Sequence, residues 1–391
     1  MRICHIITRM IVGGAQENTF LSARGAFEAG HKVVLLTGPS PGREGELLSR
    51  IDNPGVEIVE TPLLVREINP ITDLKAIFFI RNYLKENKFD VIHTHTSKAG
   101  VIGRIAGYLA GVPLVTHTIH GLAYGPYESF LKNLIYKSSE FIAALCSDRI
   151  YAVANAMIEQ SLEAHIGKRE QYKVVYSGME LENFLEARRD PALREELGIG
   201  KQEKVIGAVA RLFPRKGYEE LFPAFAKVVE EYPDTRLLIL GDGPSRDDFE
   251  EMARSLGILD KIIFAGLVSP SIIHHYIAQM DMVAHLSLKE GLPRVAVQAL
   301  AEGLPVVAYD LDGTPEVVKE GITGHLIAPQ DKEGAAKALK HLLSSPEDCR
   351  KMGENGRNLV KDVFPWRKMS DILLEDYRNS LSQKSGSGLR A

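Results

Sequence analysis

The chain has 391 residues, of which 45% are hydrophobic and 25% charged, and it carries a formal net charge of −4. The length favours two domains with ample core, and neither the charge balance nor the spread of Lys and Arg is typical of a bulk nucleic-acid-binding protein. Because no apolar leader opens the sequence and no apolar stretch approaches the ~20 residues of a membrane span, we expect a cytoplasmic protein.

The first part of the chain alternates short apolar runs with amphipathic stretches. This alternation predicts an α/β fold with a parallel, doubly wound sheet, in which ligands bind outside the carboxyl ends of the strands. Strands are expected at 2–7, 32–36, 56–59, 91–94, 114–118, 150–153 and 174–176, with helices at roughly 15–29, 71–88, 97–110, 127–145 and 155–165.

The loop after the first strand contains Gly13 and Gly14 directly before a helix. Two glycines at this point allow a ligand to approach the backbone and meet free N–H groups, although a simple tight turn explains them equally well. The spacing is not the Gly-x-Gly-x-x-Gly of dinucleotide-binding proteins, so no NAD site is inferred.

Four histidines, His93, His95, His117 and His120, stand at the ends of two predicted strands. Imidazole is a common zinc ligand, but no acidic residue or cysteine accompanies these histidines at ligand spacing. Alternate residues of a strand share one face, so His93 and His95 form a pair. We therefore expect polar side chains that satisfy one another at the edge of the sheet rather than a metal site.

A second series of strand and helix units follows the turn at 176–180. Its first strand ends at Arg211, and Lys216 follows in the loop before a helix. A guanidinium and an ammonium presented together suit a diphosphate, because Arg offers a planar fork and Lys a compact charge. A solvated loop is the plain alternative.

The segment from His285 to Ala308 predicts a strand, a glycine loop, a helix and a strand. Pro293 suits the first turn of a helix, so we expect the helix to begin just after Glu290. Its free N–H groups then face the loop at 291–292, an arrangement that binds phosphates. A carboxylate beside an anion site needs another partner, such as sugar hydroxyls, so Glu290 points to a phosphate-linked sugar.

This segment resembles the Glu-x7-Glu signature of the retaining glycosyltransferases of sequence family 4, which have the GT-B fold. Glu290 matches the first Glu, the loop Gly291-Leu292-Pro293-Arg294 follows it, and Gln298 stands where the second Glu is expected. Ordered matches elsewhere extend the resemblance over nearly the whole chain.

The resemblance implies two Rossmann-like domains that face a central cleft. Residues 1–178 form the acceptor-side domain and residues 179–364 the domain that binds the nucleotide sugar. Residues 365–382 are expected to form a helix that packs back on the first domain, and residues 383–391, which are rich in Ser and Gly, to form a mobile tail.

The resemblance also assigns roles to individual residues. Arg211 and Lys216 clamp the donor diphosphate, His120 lies near the sugar, and Glu290 orients the sugar ring. Gln298 faces the ribose, where the loss of a charged partner lowers donor affinity modestly. The expected catalytic residues are thus Glu290, His120, Arg211 and Lys216, and the other donor-binding positions are Gly13, Gly14, Gly243, Leu267, Gly291, Leu292, Pro293, Arg294 and Gln298.

The implied reaction moves a sugar, most simply from a UDP-sugar, to a hydroxyl of a lipid-linked or saccharide acceptor in bacterial envelope polysaccharide biosynthesis. Retention at the anomeric carbon and independence of metal are expected with it, and the Asp310-x-Asp312 turn is interpreted as structural. A sugar-nucleotide 2-epimerase and a non-catalytic nucleotide-sugar-binding protein remain the alternatives.

Two loops, 37–45 and 123–127, are candidates for contact with the acceptor. The helix predicted from Asp73 to Lys88 carries apolar side chains together with several Lys and Arg residues. A core-facing helix with a solvated basic side explains this pattern with fewer assumptions than a helix on the inner membrane surface, and both interpretations remain open.

Overall fold

The computed structural model describes residues 1–40 and 47–387. The chain forms two compact units, one made of residues 1–179 with the segment from Trp366 onward, the other of residues 180–365. No helix in the described part of the chain is both long and apolar enough to cross a membrane.

The first unit contains a seven-stranded parallel sheet of order β3-β2-β1-β4-β5-β6-β7. Strands such as β1 are apolar along their length because helices cover both faces of a parallel sheet, and Ile3, Ile6 and Ile7 are fully buried. The strands are β1 Arg2–Arg9, β2 Lys32–Gly38, β3 Glu57–Glu60, β4 Val91–His95, β5 Leu114–Ile119, β6 Arg149–Ala152 and β7 Tyr172–Val174. The helices are α1 Gly14–Glu28, α2 Pro70–Asn87, α3 Ser97–Ala110, α4 Phe130–Leu145 and α5 Asn155–Glu163.

The second unit contains a six-stranded parallel sheet of order β10-β9-β8-β11-β12-β13. This is the doubly wound order in which the chain reverses direction between two central strands, here β8 and β11. The strands are β8 Lys204–Val209, β9 Thr235–Leu240, β10 Ile262–Gly266, β11 Met282–His285, β12 Val306–Tyr309 and β13 Gly324–Ile327. The helices are α6 Glu182–Glu186, α7 Pro191–Glu196, α8 Tyr218–Glu231, α9 Arg246–Ser255, α10 Ile273–Ile277, α11 Arg294–Ala301, α12 Thr314–Val317, α13 Lys332–Ser344 and α14 Pro346–Val363.

The last helix, α15 Trp366–Ser387, packs on α1 in the first unit. Its buried side chains recur at helical spacing, and each apolar one contributes about 1.5–3 kcal/mol by leaving water. The helix continues to Ser387, beyond the predicted start of the tail at Gln383. Within this part Lys384 contacts the backbone oxygen of Pro113 at 2.7 Å and the carboxylate of Asp148 at 2.5 Å. Residues 388–391 of that tail lie outside the described part of the chain. The buried side chains of α15 are Trp366, Met369, Ser370, Leu373, Leu374, Asp376 and Tyr377.

Asp376 fastens α15 to the sheet. Its carboxylate accepts two hydrogen bonds of 3.0 Å from Arg149, one of 2.9 Å from Lys173 and one of 2.9 Å from Tyr151. Burial alone raises the pKa of this carboxyl, but these hydrogen bonds outweigh burial and lower the pKa to about 2. The charged form is therefore the one that the folded protein stabilises.

Replacing Asp376 by alanine is expected to lower the free energy of unfolding at pH 7 by about 2 kcal/mol. The value is below the ~3–5 kcal/mol of a fully buried pair because Arg149 and Lys173 remain partly in water. A depressed pKa stabilises the fold above the unfolded-state pKa of about 3.9, so the difference from wild type should shrink as pH falls from about 5 toward 2. Urea unfolding at pH 7 and pH 3 measures this. Asp371→Ala, an exposed position on the same helix, is the control, and an equal loss there would contradict the assignment.

Strand β13 was not predicted, because Gly324-His325-Leu326-Ile327 is short and only partly apolar. Of the predicted acceptor loop 37–45, residues 41–45 lie outside the described part of the chain.

Candidate functional site

Two loops of the second unit meet because β8 and β11 are neighbours in the sheet, paired in parallel. The loop after β8 lies against the loop after β11, where the Leu288 N–H donates to the Arg215 oxygen at 3.1 Å. Gly217 makes this close approach possible. Its φ is +87°, and a Cβ there would lie 2.3 Å from the Leu286 oxygen.

Lys216 and Glu290 are in direct contact at this junction. The Lys216 Nζ lies 2.9 Å from Glu290 Oε1 and donates to Ser287 Oγ at 3.3 Å. The side chains of Lys216 and Glu290 are 29% and 19% exposed, so both are partly open to a ligand. The structure thus brings together the cation and the carboxylate that sequence reasoning placed on separate loops.

The Glu290 carboxyl is held in its ionised form. Burial alone raises its pKa, but His285, Lys216 and Ser287 outweigh burial and lower the pKa to about 2. His285 Nε2 lies 3.5 Å from Glu290 Oε1. An ionised carboxylate accepts hydrogen bonds and has no proton to give at neutral pH, which suits contact with hydroxyl groups rather than general acid catalysis.

Helix α11 begins at Arg294, later than predicted. Pro293 is its N-cap with extended backbone, not a residue of the first turn, and the Ala296 N–H donates to the Pro293 oxygen at 3.1 Å. Gly291 and Leu292 therefore form a buried bend between Glu290 and the helix. Gln298 is half-buried on α11, and its side-chain amide has no hydrogen-bond partner within residues 1–40 and 47–387.

The Asp-x-Asp turn supports the same loop. The backbone N–H of Glu290 donates to Asp312 Oδ2 at 3.0 Å, and Asp312 itself has left-handed backbone with φ of 52°. Asp312 thus has a structural partner in the backbone of the loop that carries Glu290.

The other predicted donor contacts of this unit stand at strand ends. Arg211 is exposed, and its guanidinium lies 4.9 Å from the centroid of the Phe213 ring. Gly243 follows β9 where a Cβ would lie 2.3 Å from the Leu212 oxygen, so close backbone packing explains this glycine. Leu267 follows β10 and is 77% exposed.

The predicted residues of the first unit follow β1 and β5. Gly13 is the N-cap of α1 and Gly14 its first residue. His120 follows β5 and lines a cavity of about 280 Å³, together with Arg104, His117, Tyr124 and Glu140. His120 Nε2 lies 3.0 Å from His95 Nδ1.

Three polar residues near these positions were missed from the sequence. His285 and Ser287 contact or approach the Glu290–Lys216 pair, and His5 lies under the histidines of β4. Each stands in or directly after an apolar strand run. A polar side chain in or next to such a run is the sequence signal that could have found them, because the strand buries it: His285 is 7% and His5 is 1% exposed.

Comparison with protein families gives two matches that together cover most of the chain. The family "Glycosyltransferase Family 4" matches residues 12–183, and "Glycosyl transferases group 1" matches residues 189–359. Both site loops of the second unit fall inside the second match.

The chain is similar in sequence to proteins with the following names. A UDP-Gal:alpha-D-GlcNAc-diphosphoundecaprenol alpha-1,3-galactosyltransferase of Escherichia coli is 30% identical over 341 residues, covering 85% of this chain and 87% of that protein. An N-acetyl-alpha-D-glucosaminyl L-malate synthase of Bacillus anthracis is 28% identical and covers 88% and 87%.

Solved structures share the fold over nearly the full length. HepE of Anabaena in complex with UDP has a TM-score of 0.81 at 21% identity and covers 97% of this chain and 100% of that chain. Sucrose-phosphate synthase of Thermosynechococcus elongatus has a TM-score of 0.83 at 21% identity and covers 98% and 100%. These likenesses confirm the predicted α/β class and the GT-B type of two Rossmann-like domains.

Proposed function

The chain belongs to the glycosyltransferases of family 4, and from this membership we propose that it moves a hexose-type sugar from a UDP-sugar to a hydroxyl of a lipid-linked or saccharide acceptor. Support for the donor comes from the names of relatives, which include a UDP-Gal-dependent galactosyltransferase and a structure that holds UDP. The diphosphoundecaprenol in the first of these names supports a lipid-linked acceptor. This name, together with that of a related capsular polysaccharide biosynthesis glycosyltransferase, supports a role in bacterial envelope polysaccharide synthesis.

The observation that carries the proposal is the contact of Lys216 with Glu290 at 2.9 Å, on two loops beside the point where the sheet reverses its strand order. Sheets of this type bind their ligands there. A cation next to a carboxylate that is ionised at neutral pH offers one group for phosphate and one for hydroxyls. That pairing fits a sugar attached to a diphosphate.

In the proposed reaction the oxygen of the acceptor hydroxyl bonds to the anomeric carbon as the bond to the diphosphate breaks, and the hydroxyl proton passes to the departing diphosphate. The electron pair of the broken carbon–oxygen bond stays on the diphosphate, whose growing negative charge Arg211, Lys216 and the first N–H groups of α11 stabilise. Glu290 accepts hydrogen bonds from the sugar hydroxyls and orients the ring. The side-chain amide of Gln298 forms a hydrogen bond to the ribose. This neutral hydrogen bond is weaker than a charge-assisted one.

We further propose, from the family, that the configuration at the anomeric carbon is retained and that no bound metal ion is required. The two basic side chains and a helix N-terminus can supply the positive charge that a metal provides in other transferases. Turnover measured with and without a chelator tests the second point. The anomeric signal in the NMR spectrum of the product tests the first.

The test of the function is a panel of UDP-, GDP- and ADP-sugars without added metal, followed by thermal shift and by release of nucleoside diphosphate. We expect one donor to raise the melting temperature and to be hydrolysed slowly in the absence of acceptor. Binding without release would instead show a non-catalytic nucleotide-sugar-binding protein. A new sugar nucleotide formed without acceptor would show an epimerase, and a folded protein that binds no donor would refute the site.

The first unit exposes a surface suited to a lipid-linked acceptor. Helix α4 carries an apolar stripe at helical spacing that the rest of the unit leaves uncovered, and Lys132 and Lys137 stand on the same helix. Helices α2 and α4 both pack on α3, and α2 exposes Ile71, Leu74, Phe78 and Phe79. We propose that these helices contact the surface of an anionic bilayer. The α4 stripe comprises Phe130, Leu131, Leu134, Ile135, Phe141, Ile142 and Leu145, of which Phe130 is 84% exposed.

Leu134→Glu is expected to reduce sedimentation with vesicles containing anionic phospholipid by about tenfold, because it removes an apolar contact and adds a negative charge. Ile322→Glu makes the same change at an exposed position of the second unit and should leave vesicle binding unchanged. Wild-type protein that stays in the supernatant, or an equal loss in both variants, would contradict membrane contact.

A further inference from the structure

Three histidines of the first unit form a continuous line of hydrogen bonds, here termed the imidazole chain. His5 Nδ1 lies 3.1 Å from His95 Nε2, and His95 Nδ1 lies 3.0 Å from His120 Nε2. The chain crosses three neighbouring strands, because His5 is on β1, His95 ends β4 and His120 follows β5. It therefore connects the buried core to the cavity that His120 lines.

The inner members of the chain are neutral. Burial lowers the pKa of His5 to about 3, and burial together with the neighbouring imidazoles lowers the pKa of His95 well below its usual range. A neutral imidazole has one N–H and one lone pair, so each ring that donates from one nitrogen must accept at the other. The tautomers along the chain are consequently linked, and all its hydrogen bonds point the same way.

The buried end of the imidazole chain determines the direction of its hydrogen bonds. His5 is 1% exposed, and its Nε2 has no hydrogen-bond partner in the part of the chain that the structure describes. A buried N–H without an acceptor is rarer than a buried acceptor that lacks a donor. The Nε2 atom is therefore assigned the lone pair and Nδ1 the proton that His5 donates to His95.

We propose that the imidazole chain runs outward from His5 and fixes the tautomer of His120, which accepts at Nε2 and carries its own proton on Nδ1. His5 and His95 are positioning residues that act through His120. Resting on the proposed function, this makes His120 a neutral hydrogen-bond donor, not a base, toward a substrate oxygen that enters the cavity it lines.

A metal ion is the competing use of these histidines. Ligand atoms of His5, His93 and His95 lie within 4.8 Å of one another. However, His93 bonds through both nitrogens, to Tyr377 and to Thr118, and both nitrogens of His95 belong to the chain. A metal would have to break several of these hydrogen bonds, so the arrangement favours the imidazole chain.

The test is NMR spectroscopy of protein with ring-15N-labelled histidine, using long-range 1H–15N correlations that distinguish protonated from unprotonated ring nitrogens. Wild-type His120 should show a protonated Nδ1 and an unprotonated Nε2. His5→Leu removes the first donor, so His120 should populate both tautomers. His5→Asn, whose amide nitrogen can stand in place of Nδ1, should restore the wild-type pattern.

The control is His117→Gln, which alters a histidine of the same cavity that is bonded to Thr94 and lies outside the chain. Its His120 signals should match wild type. A protonated Nε2 on wild-type His120, unchanged signals in folded His5→Leu, or one equivalent of zinc in the purified protein would each overturn the proposal. The wild-type spectrum decides the direction even if a variant does not fold. No substrate enters these measurements, so failure of the proposed reaction would not alter their outcome.

Discussion

Replacing Glu290 by glutamine is expected to lower kcat about 100-fold with the preferred donor. The substitution keeps the shape of the side chain but removes its charge, and a hydrogen bond to a charged group contributes about 1.5–3 kcal/mol. It also deprives Lys216 of its anionic partner at 2.9 Å, so the groups that orient the sugar and the diphosphate are held less firmly relative to each other. Initial rates of nucleoside diphosphate release, with acceptor present, measure the effect.

Glu302→Gln is the matched control. Glu302 caps the opposite end of α11, and burial raises its pKa to about 9, so it is protonated at pH 7 and an amide replaces it with little change. Because the pKa of Glu290 is about 2, the wild-type rate should show no loss from this group between pH 8 and pH 5. If the Glu290→Gln enzyme were as active as the Glu302→Gln enzyme, Glu290 would have no role in the reaction.

The strands and long helices were predictable because their local sequence patterns determine their secondary structure. The apolar runs of β1 and β2 are what a strand buried on both faces requires. Helix α2 begins where expected because Pro70 follows Asn69, whose side chain accepts from the N–H groups of Ile71 and Thr72 at 3.1 Å. Strand β13 was not predicted because two of its four residues, Gly324 and His325, are not apolar. It is a strand because it pairs with β12.

The site was predictable residue by residue but not as a set of contacts. Glu290 and Lys216 each follow an apolar strand, which is visible in the sequence. Their contact depends on β8 lying beside β11, and sequence order alone does not give that neighbour. The same holds for His5, which comes opposite His93 only through the register of β1 with β4. Lateral neighbours in a parallel sheet are set by the packing of the crossover helices, so a local pattern cannot supply them.

Replacing Lys216 by alanine is expected to lower kcat by about 10²–10³-fold, the usual cost of losing one group that stabilises charge in the transition state. The ammonium is the compact charge nearest to Glu290, and its loss also removes one of the neighbours that keep the Glu290 pKa low. Lys201→Ala removes an equal charge from an exposed turn before β8, at the opposite end of that strand, and should have wild-type rates.

A double-mutant cycle separates two roles of Lys216. If Lys216 only holds Glu290 in place, then Lys216→Ala should cost nothing further in the Glu290→Gln enzyme. If Lys216 also neutralises the leaving diphosphate, the double variant should be at least about tenfold slower than Glu290→Gln alone, because the second interaction survives the first substitution. We expect the second result. The distance of 3.3 Å to Ser287 Oγ supports this, because that contact holds Lys216 at the junction when Glu290 turns to the sugar.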